Sequence, residues 1–359
     1  MKCLPNGCLI KSATYAQFYK AYLRAREDKT NRPEVIRFER GLVGNLVRLV
    51  DEVIAGTYHP AEYREFEVHE PKRRKIHALP FRDRIVHQWY VHEFIIPFFV
   101  PRFIETSYAC ILDRGTHGAL RNTQKCLRKT IREFKDPYVL KMDISGFFYN
   151  VNKDVLFKIV IKKMKDPKLV NLTRVLIYDG FTSRVSIPIG NYTSQYFANI
   201  YMNELDQFVK RVLKVKYYMR YMDDFITIVD GKEKAWWTYF FMESFIKNEL
   251  KLTLNTKSRY FPAKYGIDFV GYRTFENYTL VRKRAKIKAQ SIVRQFEKSK
   301  DAERFKLRAS SWLGHAMHAD SFKLKCKYFG EHKDLLSKRF IWEEGKTPKT
   351  PPKSKKPKK

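Results

Sequence analysis

The chain is poor in cysteine and contains no long apolar run. Its five cysteines among 359 residues are scattered and odd in number, so neither a disulfide framework nor a paired zinc-ligand spacing is present. No stretch approaches the roughly 18 apolar residues that a membrane-spanning helix needs, and the first residues lack the pattern of a secretory signal. We therefore expect a reduced, cytoplasmic protein with free thiols and no membrane attachment.

Acidic residues are also scarce relative to basic ones. The chain has 38 Asp and Glu against 71 Lys and Arg, which gives a formal charge of +33. Such a charge attracts polyanions and indicates nucleic acid or an anionic membrane surface as the partner. Aromatic residues lie among the basic ones and can stack on bases, which favours nucleic acid, although more than half of them are expected in the core. Residues 343–359 are predicted to be a disordered basic tail, because residues 346–359 contain seven Lys, four Pro and no acid.

A pair of adjacent carboxylates is the most informative motif. Two apolar runs, residues 212–219 and 225–229, enclose the Tyr-Met-Asp-Asp tetrapeptide at 221–224. The pattern predicts a β-hairpin whose tip carries Asp223 and Asp224, where hard cations can bind. Such a tip is half of a two-metal phosphoryl-transfer site.

The third carboxylate of such a site is expected at the end of a neighbouring strand. Residues 138–144 read as a short buried strand followed by a turn at Ser145-Gly146, so Asp143 would lie beside Asp223. Oxygen ligands with no Cys or His nearby suit Mg²⁺, with Mn²⁺ as a substitute. Two ions about 3.5–4 Å apart would hold the attacking and leaving oxygens of an in-line displacement.

Hydrophobic periodicity predicts helices and strands in alternation. Helices are expected over residues 14–57 (ending at Gly56), 82–99, 152–164 (with Asn152 as N-cap), 194–213, 233–250 and beyond 281, and strands within 63–79, at 138–144, in the hairpin, and near Leu252, Phe269 and Tyr278. This order suggests an α+β protein with a split βαβ sheet and helices on one face.

Several segments, taken in order, resemble those of reverse transcriptases along nearly the whole folded length. They are residues 73–88 and 107–120, the Asp143 strand, the Ile189 loop, the Asp223 hairpin, and residues 252–258 and 269–272. The resemblance implies an α+β right-hand polymerase with fingers, a palm built on a split βαβ antiparallel sheet, and a helical thumb. The implied domains are an N-terminal helical region (1–62), fingers (63–137), palm (138–280, with part of the fingers inserted at about 152–190), thumb (281–342) and tail (343–359).

The loop at 189–195 narrows the resemblance. Its sequence, Ile-Gly-Asn-Tyr-Thr-Ser-Gln, has the Ile-Gly-x-x-x-Ser-Gln pattern of reverse transcriptases from diversity-generating retroelements, whereas most relatives have Gln before the Gly. Residues 311–315 and 318–321 also resemble the thumb of that subfamily. The implied function is copying of a template-repeat RNA into cDNA with low fidelity at adenines. The alternative is a generic bacterial reverse transcriptase of the group II intron, retron or CRISPR-associated type.

Two rival classes stay open. A non-catalytic RNA-binding protein would keep the fold and use its positive surface alone. An RNA-copying RNA polymerase shares Asp clusters of this kind.

The resemblance implies roles for residues at the metal site. Asp143 and Asp223 would be the main metal ligands, Asp224 a weaker partner, and Ile144 a ligand through its backbone carbonyl. Lys257 resembles the lysine proposed to protonate the leaving pyrophosphate, and an exposed surface lysine is the alternative.

Other positions resemble residues that bind the nucleotide. Arg74 best matches the family's phosphate-gripping arginine and Lys72 is a second candidate, because guanidinium binds phosphate bidentately while lysine acts as a point charge. A solvated basic strand edge is the alternative. Phe148 would exclude a ribose 2′-hydroxyl and so select deoxynucleotides, and Phe147 or Tyr149 could take that place instead.

The Ile189 loop is expected to lie against the new base pair. Gly190 would let the backbone approach that pair closely, since it has no Cβ. Ile189 offers only shape where a Gln could hydrogen-bond, so it is expected to loosen selection opposite template adenine, with a packing residue as the alternative. Gln195, Tyr221 and Met222 complete the implied substrate-binding set.

The remaining implied features concern the primer and the partners. Phe269, Gly271 and Tyr272 resemble the primer grip, in which Gly271 turns the chain toward the primer backbone. The implied partners are template RNA, the cDNA primer and product, dNTPs, a structured RNA and a small basic accessory protein. His315, His318 and Asp320 are expected to make core or nucleic-acid contacts, because their helical spacing in a basic region argues against a metal site.

Overall fold

The structure is a computed structural model that describes residues 13–69, 73–162, 164–178 and 183–337. It divides into two compact units. The first unit consists of Met1–Ala119 and Tyr138–Phe261, and the second consists of Leu120–Pro137 and Pro262–Lys359. The predicted palm instead ran to residue 280. The domain boundaries given above stay predictions, and the tail at 343–359 lies outside the described residues.

Helices and strands alternate through the described chain. In order they are α1 Tyr15–Arg26, α2 Pro33–Glu39, α3 Leu42–Ala55, β1 Arg64–Val68, β2 Arg74–Ala78, α4 Phe81–Tyr90, α5 Ile96–Phe99, α6 Thr116–Glu133, β3 Pro137–Asp143, α7 Phe147–Asn150, α8 Lys153–Ile161, α9 Pro167–Tyr178, α10 Tyr192–Gln207, β4 Tyr217–Tyr221, β5 Asp224–Asp230, α11 Lys232–Asn248, β6 Arg259–Pro262, β7 Ile267–Phe269, β8 Tyr272–Thr274, β9 Thr279–Val281, α12 Lys283–Ser299, α13 Ala302–Ala316 and α14 Phe322–Phe329.

The strands of the described chain form three sheets. Strands β1 and β2 pair antiparallel, β4-β5-β3-β6 form a four-stranded sheet in that order, and β7-β8-β9 form an antiparallel sheet of three. The four-stranded sheet lies in the first unit. Consecutive residues of β4 and β5 are buried, so both faces of the sheet are covered there, which explains the apolar runs of these strands.

Local sequence signals predict several helix ends correctly. Gly56 ends α3 in the left-handed conformation (φ 78°), as predicted. The Asn152 side chain accepts a hydrogen bond from the Val155 N–H and caps α8, also as predicted. A Thr14–Gln17 capping box starts α1.

Three elements differ from their predictions. The helix expected over residues 194–213 ends as an α-helix at Gln207 and continues as a π-turn, Phe208–Val212. The strand expected near Leu252 is reduced to one antiparallel bridge, Ile144↔Leu254. The single helix expected over residues 82–99 is interrupted by a π-turn, Val91–Ile95, in which the Ile96 N–H bonds to the Val91 carbonyl. Pro97 has no N–H to donate to the preceding turn, which accounts for the change in hydrogen bonding.

Each unit has its own hydrophobic core. The first core joins the N-terminal helices to the four-stranded sheet and to α10. The second core joins Tyr272 and Val281 of the three-stranded sheet to apolar residues of α12, α13 and α14. Among the described cysteines, Cys110, Cys126 and Cys326 carry free thiols. In the described ranges, no helix has both the length and the apolar character that crossing a membrane requires.

A buried histidine in the first unit should make folding sensitive to acid. His87 on α4 is 2% exposed, and its Nδ1 lies 2.8 Å from the Thr193 hydroxyl. Burial lowers the pKa of His87 to about 3. The unfolded chain, with a histidine pKa near 6.5, therefore binds more protons between pH 3 and 6.5, so this contribution to stability is complete above about pH 6.5 and is lost as the pH falls.

We expect His87→Gln to reduce this sensitivity. Between pH 6.5 and 4, the unfolding free energy of the wild type should fall more steeply than that of the variant, by up to about 1 kcal/mol per pH unit. Urea unfolding at several pH values measures both slopes. Equal slopes would show that His87 does not titrate between the two states.

Candidate active site

The Asp223 hairpin has the geometry that its sequence predicts. Strands β4 and β5 pair antiparallel up to Tyr221↔Asp224, which leaves Met222 and Asp223 as the turn. Met222 adopts a left-handed conformation (φ 57°). Apolar residues buried on both strands anchor the hairpin in the sheet, so the turn projects its polar groups at the sheet end.

Asp143 lies beside this turn. Strand β3 neighbours β5 in the sheet and ends at Asp143. The next residue, Ile144, donates its N–H to the backbone carbonyl of Asp223 at 3.3 Å. Burial, and then the Asp143 carboxylate, raise the pKa of Asp223 to about 6. The structure thus brings the two predicted metal ligands into direct electrostatic contact.

Asp224 is held differently. Its Oδ1 accepts a hydrogen bond from Lys141 Nζ at 2.7 Å, so its charge is already compensated by a partner on β3. Within the described segments, no group of three or more His, Cys, Asp or Glu side chains is placed to hold a metal ion. Asp143 and Asp223 are therefore the strongest pair for a metal site, and the role predicted for Asp224 stays a prediction, although its charge also helps to raise the pKa of Asp223.

The donor set still fits magnesium. Carboxylate oxygens are hard ligands, and Mg²⁺ at phosphate-transfer sites is commonly bound by one or two carboxylates plus substrate phosphates. Two neighbouring like charges destabilise each other, and a bound dication removes that repulsion. The backbone carbonyl of Ile144 would be an additional ligand, as predicted from the resemblance.

A loop after α11 supports Asp143, and sequence reasoning missed it. Asn255 donates its side-chain N–H to Asp143 Oδ2 at 3.3 Å and its backbone N–H to the Asp143 carbonyl at 2.8 Å. The Ser258 hydroxyl lies 3.1 Å from the Asp143 N–H, which donates to it. Lys257 lies between these two residues and is exposed. A carboxylate at a strand end requires nearby donors, but the sequence does not show which distant segment supplies them.

In the β1-β2 hairpin, the two basic residues next to Arg74 are paired with glutamates, whereas Arg74, which is predicted to bind phosphate, lies on the other face. Arg73 makes a two-fold hydrogen bond to Glu67 at 2.9 Å, and Lys75 pairs with Glu65 at 2.5 Å. Because side chains alternate along a strand, Arg74 lies on the opposite face. Its charge lowers the pKa of Asp223, although burial and Asp143 shift that pKa upward more strongly. Lys72, the second candidate, lies outside the described residues.

The aromatic residues after Asp143 differ in burial. Phe147 is 2% exposed and belongs to the core, whereas Tyr149 is 46% exposed. Phe148 is partly buried and packs edge-on against Phe147, with ring centroids 5.6 Å apart. Phe148 thus remains the candidate for sugar selection, and Phe147 has a packing role.

Gly190 makes a close contact that the sequence did not indicate. The Ile189 carbonyl accepts a hydrogen bond from the His77 N–H at 2.8 Å. A Cβ at Gly190 (φ 124°) would lie 2.9 Å from the His77 carbonyl oxygen and 3.0 Å from a methyl carbon of Ile76. The structural reason for glycine here is therefore its contact with β2. Gln195 is exposed on α10, and its side-chain oxygen accepts from the Cys110 thiol at 3.4 Å.

The predicted primer-grip residues lie in the second unit. Phe269 and Tyr272 are buried, at 1% and 0% exposure. The Tyr272 hydroxyl donates to the His315 carbonyl at 2.9 Å, and the two rings stack. Gly271 (φ 95°) turns the chain between β7 and β8. Any contact with a primer would thus come from this turn, because the flanking side chains are in the core.

Residues 69–274 match the family "Reverse transcriptase (RNA-dependent DNA polymerase)". The match covers more than half of the chain, so the chain belongs to that family, and the predicted enzyme class, RNA-directed DNA polymerase, is confirmed. Protein YkfC of Escherichia coli K12 is 26% identical over 287 residues, which cover 68% of this chain and 73% of YkfC. The group II intron-encoded protein LtrA of Lactococcus lactis subsp. cremoris is 26% identical over 181 residues, 47% of this chain and 29% of LtrA.

A solved structure supports the fold. Apo telomerase from Candida tropicalis superimposes with a TM-score of 0.51 at 10% identity, over 78% of this chain and 60% of the telomerase chain. With the family match, this likeness confirms the predicted α+β right-hand polymerase class. The chain spans less than two thirds of the length of that telomerase and of LtrA.

Proposed function

We propose that this protein copies RNA into DNA at the Asp143–Asp223 carboxylate pair, with Mg²⁺ bound there. The observation that carries this proposal is the placement of two half-buried carboxylates at adjoining strand ends, where the Asp143 charge helps to raise the pKa of Asp223. Bound divalent ions would neutralise the charge that develops on the phosphate oxygens and lower the pKa of the attacking hydroxyl.

The chain's own residues would position the reactants. The primer 3′-hydroxyl oxygen forms a bond to the α-phosphorus of the dNTP, and the bond from that phosphorus to the pyrophosphate oxygen breaks. The hydroxyl proton is lost to solvent, and Lys257 is the proposed proton donor to pyrophosphate. Arg74, on the face of β2 away from Glu65 and Glu67, would hold the triphosphate, since catalysis of phosphoryl transfer depends chiefly on positioning and charge.

Extension of a DNA primer on an RNA template tests this function. The purified chain, Mg²⁺ and dNTPs should yield full-length cDNA, and ribonucleotides should be incorporated far more slowly if Phe148 lies under the sugar as proposed. RNA binding with no extension would instead support a non-catalytic RNA-binding protein. Equal use of ribonucleotides would support an RNA polymerase.

Within the family, we propose a role in a diversity-generating retroelement. The Ile189–Gln195 segment supports it, because an aliphatic Ile189 stands where most relatives have a hydrogen-bonding Gln, and its backbone carbonyl is bound to the His77 N–H of β2. The protein would then copy a template-repeat RNA with errors at adenine, together with a structured RNA and a small basic accessory protein.

We expect Ile189→Gln to lower misincorporation opposite template adenine about tenfold, since polar sites discriminate better than apolar ones. Sequencing of cDNA made by both enzymes measures the rate at each template base. Ile189→Leu, which keeps an aliphatic chain, is the matched control and should retain the adenine errors. An unchanged adenine error rate in Ile189→Gln would show that Ile189 only packs the loop.

A group II intron-type enzyme is the second candidate. The similarity to the group II intron-encoded protein LtrA favours it. Such an enzyme would make cDNA with errors distributed over all template bases, so the sequencing experiment separates the two candidates.

A further inference from the structure

The hairpin that carries Asp223 rests on a buried guanidinium. Arg220 is the residue before Tyr221 on β4, and its side chain is fully buried. Its five N–H donors have five acceptors. They are Asp206 Oδ1 (2.8 Å), Asp206 Oδ2 (2.6 Å), Asn199 Oδ1 (3.0 Å), Ser107 Oγ (3.1 Å) and the Met222 carbonyl (2.9 Å). The guanidinium thus uses its complete donor capacity.

The acceptors are themselves fixed. The Tyr218 hydroxyl donates to Asp206 Oδ1 at 2.8 Å, and the Asn199 amide donates to the Ala109 carbonyl at 2.8 Å. The backbone of Arg220 is also paired, because its N–H donates to the Thr106 carbonyl at 2.9 Å. The network therefore connects α10 and residues 106–109 to Arg220 on β4.

Arg220 also contacts the turn that carries Asp223. Met222 is in the left-handed region (φ 57°), which is unfavourable for a residue with a side chain. The hydrogen bond from Arg220 to the Met222 carbonyl fixes the peptide that leads into Asp223. A rotation of this peptide would move the Asp223 carboxylate away from Asp143.

We propose that the Arg220–Asp206 pair is a positioning device that orients Asp223 for metal binding. A buried ion pair contributes little net stability compared with apolar residues of the same volume. Its value here is geometric, because only a planar fork can bind Asp206 with one edge and the Met222 carbonyl with another. This inference rests on the proposed function of the Asp143–Asp223 site.

Arg220→Lys tests it, because lysine keeps the charge and loses the fork. We expect about a tenfold lower kcat for primer extension and a several-fold higher Mg²⁺ concentration at half-maximal rate, with unchanged RNA affinity. Tyr90→Phe is the control for stability, since it removes a buried hydrogen bond to Thr173 (2.8 Å) in the same unit. It should lower the Tm without moving the Mg²⁺ midpoint.

A milder variant covers the case in which Arg220→Lys does not fold. Ser107→Ala removes one of the five acceptors and should raise the Mg²⁺ midpoint about threefold. If Asp223→Asn abolishes extension but the folded Arg220→Lys and Ser107→Ala enzymes keep the wild-type kcat and Mg²⁺ midpoint, the positioning role is wrong and the proposed function stands. If extension survives Asp223→Asn, both are wrong.

Discussion

Replacement of Asp223 by Asn is expected to lower the rate of RNA-templated primer extension by about three orders of magnitude, because a metal ligand is lost. The substitution preserves the volume of the side chain and removes the charge that Asp143 opposes. RNA affinity should not change, since the variant leaves the positive surface intact. Single-turnover extension and filter binding of the RNA measure the two quantities separately.

Asp224→Asn is the matched control for this variant. Asp224 is the adjacent carboxylate, at the start of β5, but Lys141 pairs with it at 2.7 Å. Its replacement should therefore slow extension by only about tenfold, as expected for a residue that acts on the site through a neighbour. A larger loss in Asp224→Asn than in Asp223→Asn would show that we have assigned the two roles in the wrong order.

Gly190→Ala is expected to disrupt the loop before α10. The φ of 124° is unfavourable for alanine, and the added Cβ would lie 2.9 Å from the His77 carbonyl oxygen, a backbone atom that cannot rotate away. The strain should reduce the unfolding free energy by roughly 2 kcal/mol or shift the loop off β2. Because β2 carries Arg74, we also expect at least a tenfold rise in KM for dNTP.

A second glycine gives the comparison. Gly44 lies inside α3, and nothing lies within 4 Å of a Cβ placed there. Gly44→Ala should be neutral or slightly stabilising, because alanine favours the helix. Thermal unfolding gives the Tm of both variants, and dNTP titration of primer extension gives their KM. If Gly190→Ala keeps the wild-type Tm and KM, the contact between the loop and β2 does not constrain the site.

The sequence predicts the site wherever the chemistry is local. Two apolar runs enclose the turn at Asp223, and a third apolar run ends at Asp143. The pairing of these three strands in one sheet follows from hydrophobic burial. Helix ends at Gly56 and Asn152 follow from backbone preferences of single residues. The turn and the helix ends need no information from distant parts of the chain, whereas the pairing of β3 with β5 joins distant segments and was predicted from their shared need for burial.

The features that the sequence does not reveal are contacts between distant segments. Asn255 binds Asp143 from 112 positions away, and Ser107 binds Arg220 from 113 positions away. Neither residue type carries a signal of its own. Gly190 shows a related limit, because its close contact with a backbone atom of β2 cannot be read from the sequence, and its predicted approach to the base pair stays a prediction.

The exposed charges show a similar limit. The basic residues at the start of β2 are equivalent in the sequence, and only the pairing with Glu65 and Glu67 distinguishes Arg73 and Lys75 from Arg74. Asp224 was grouped with Asp223 for the same reason, although Lys141 holds it. Charge partners across a sheet depend on strand register, which the sequence does not specify here.

Iron-directed cleavage of the protein tests the central claim most directly. Fe²⁺ can replace Mg²⁺ at carboxylate sites, and with ascorbate and peroxide it cuts the backbone close to where it is bound. In the presence of primer, RNA template and dNTP, we expect fragments that end next to Asp143 and Asp223, suppressed by excess Mg²⁺ and absent in Asp223→Asn. Cleavage confined to other segments, or an unchanged pattern in Asp223→Asn, would contradict metal binding by this carboxylate pair.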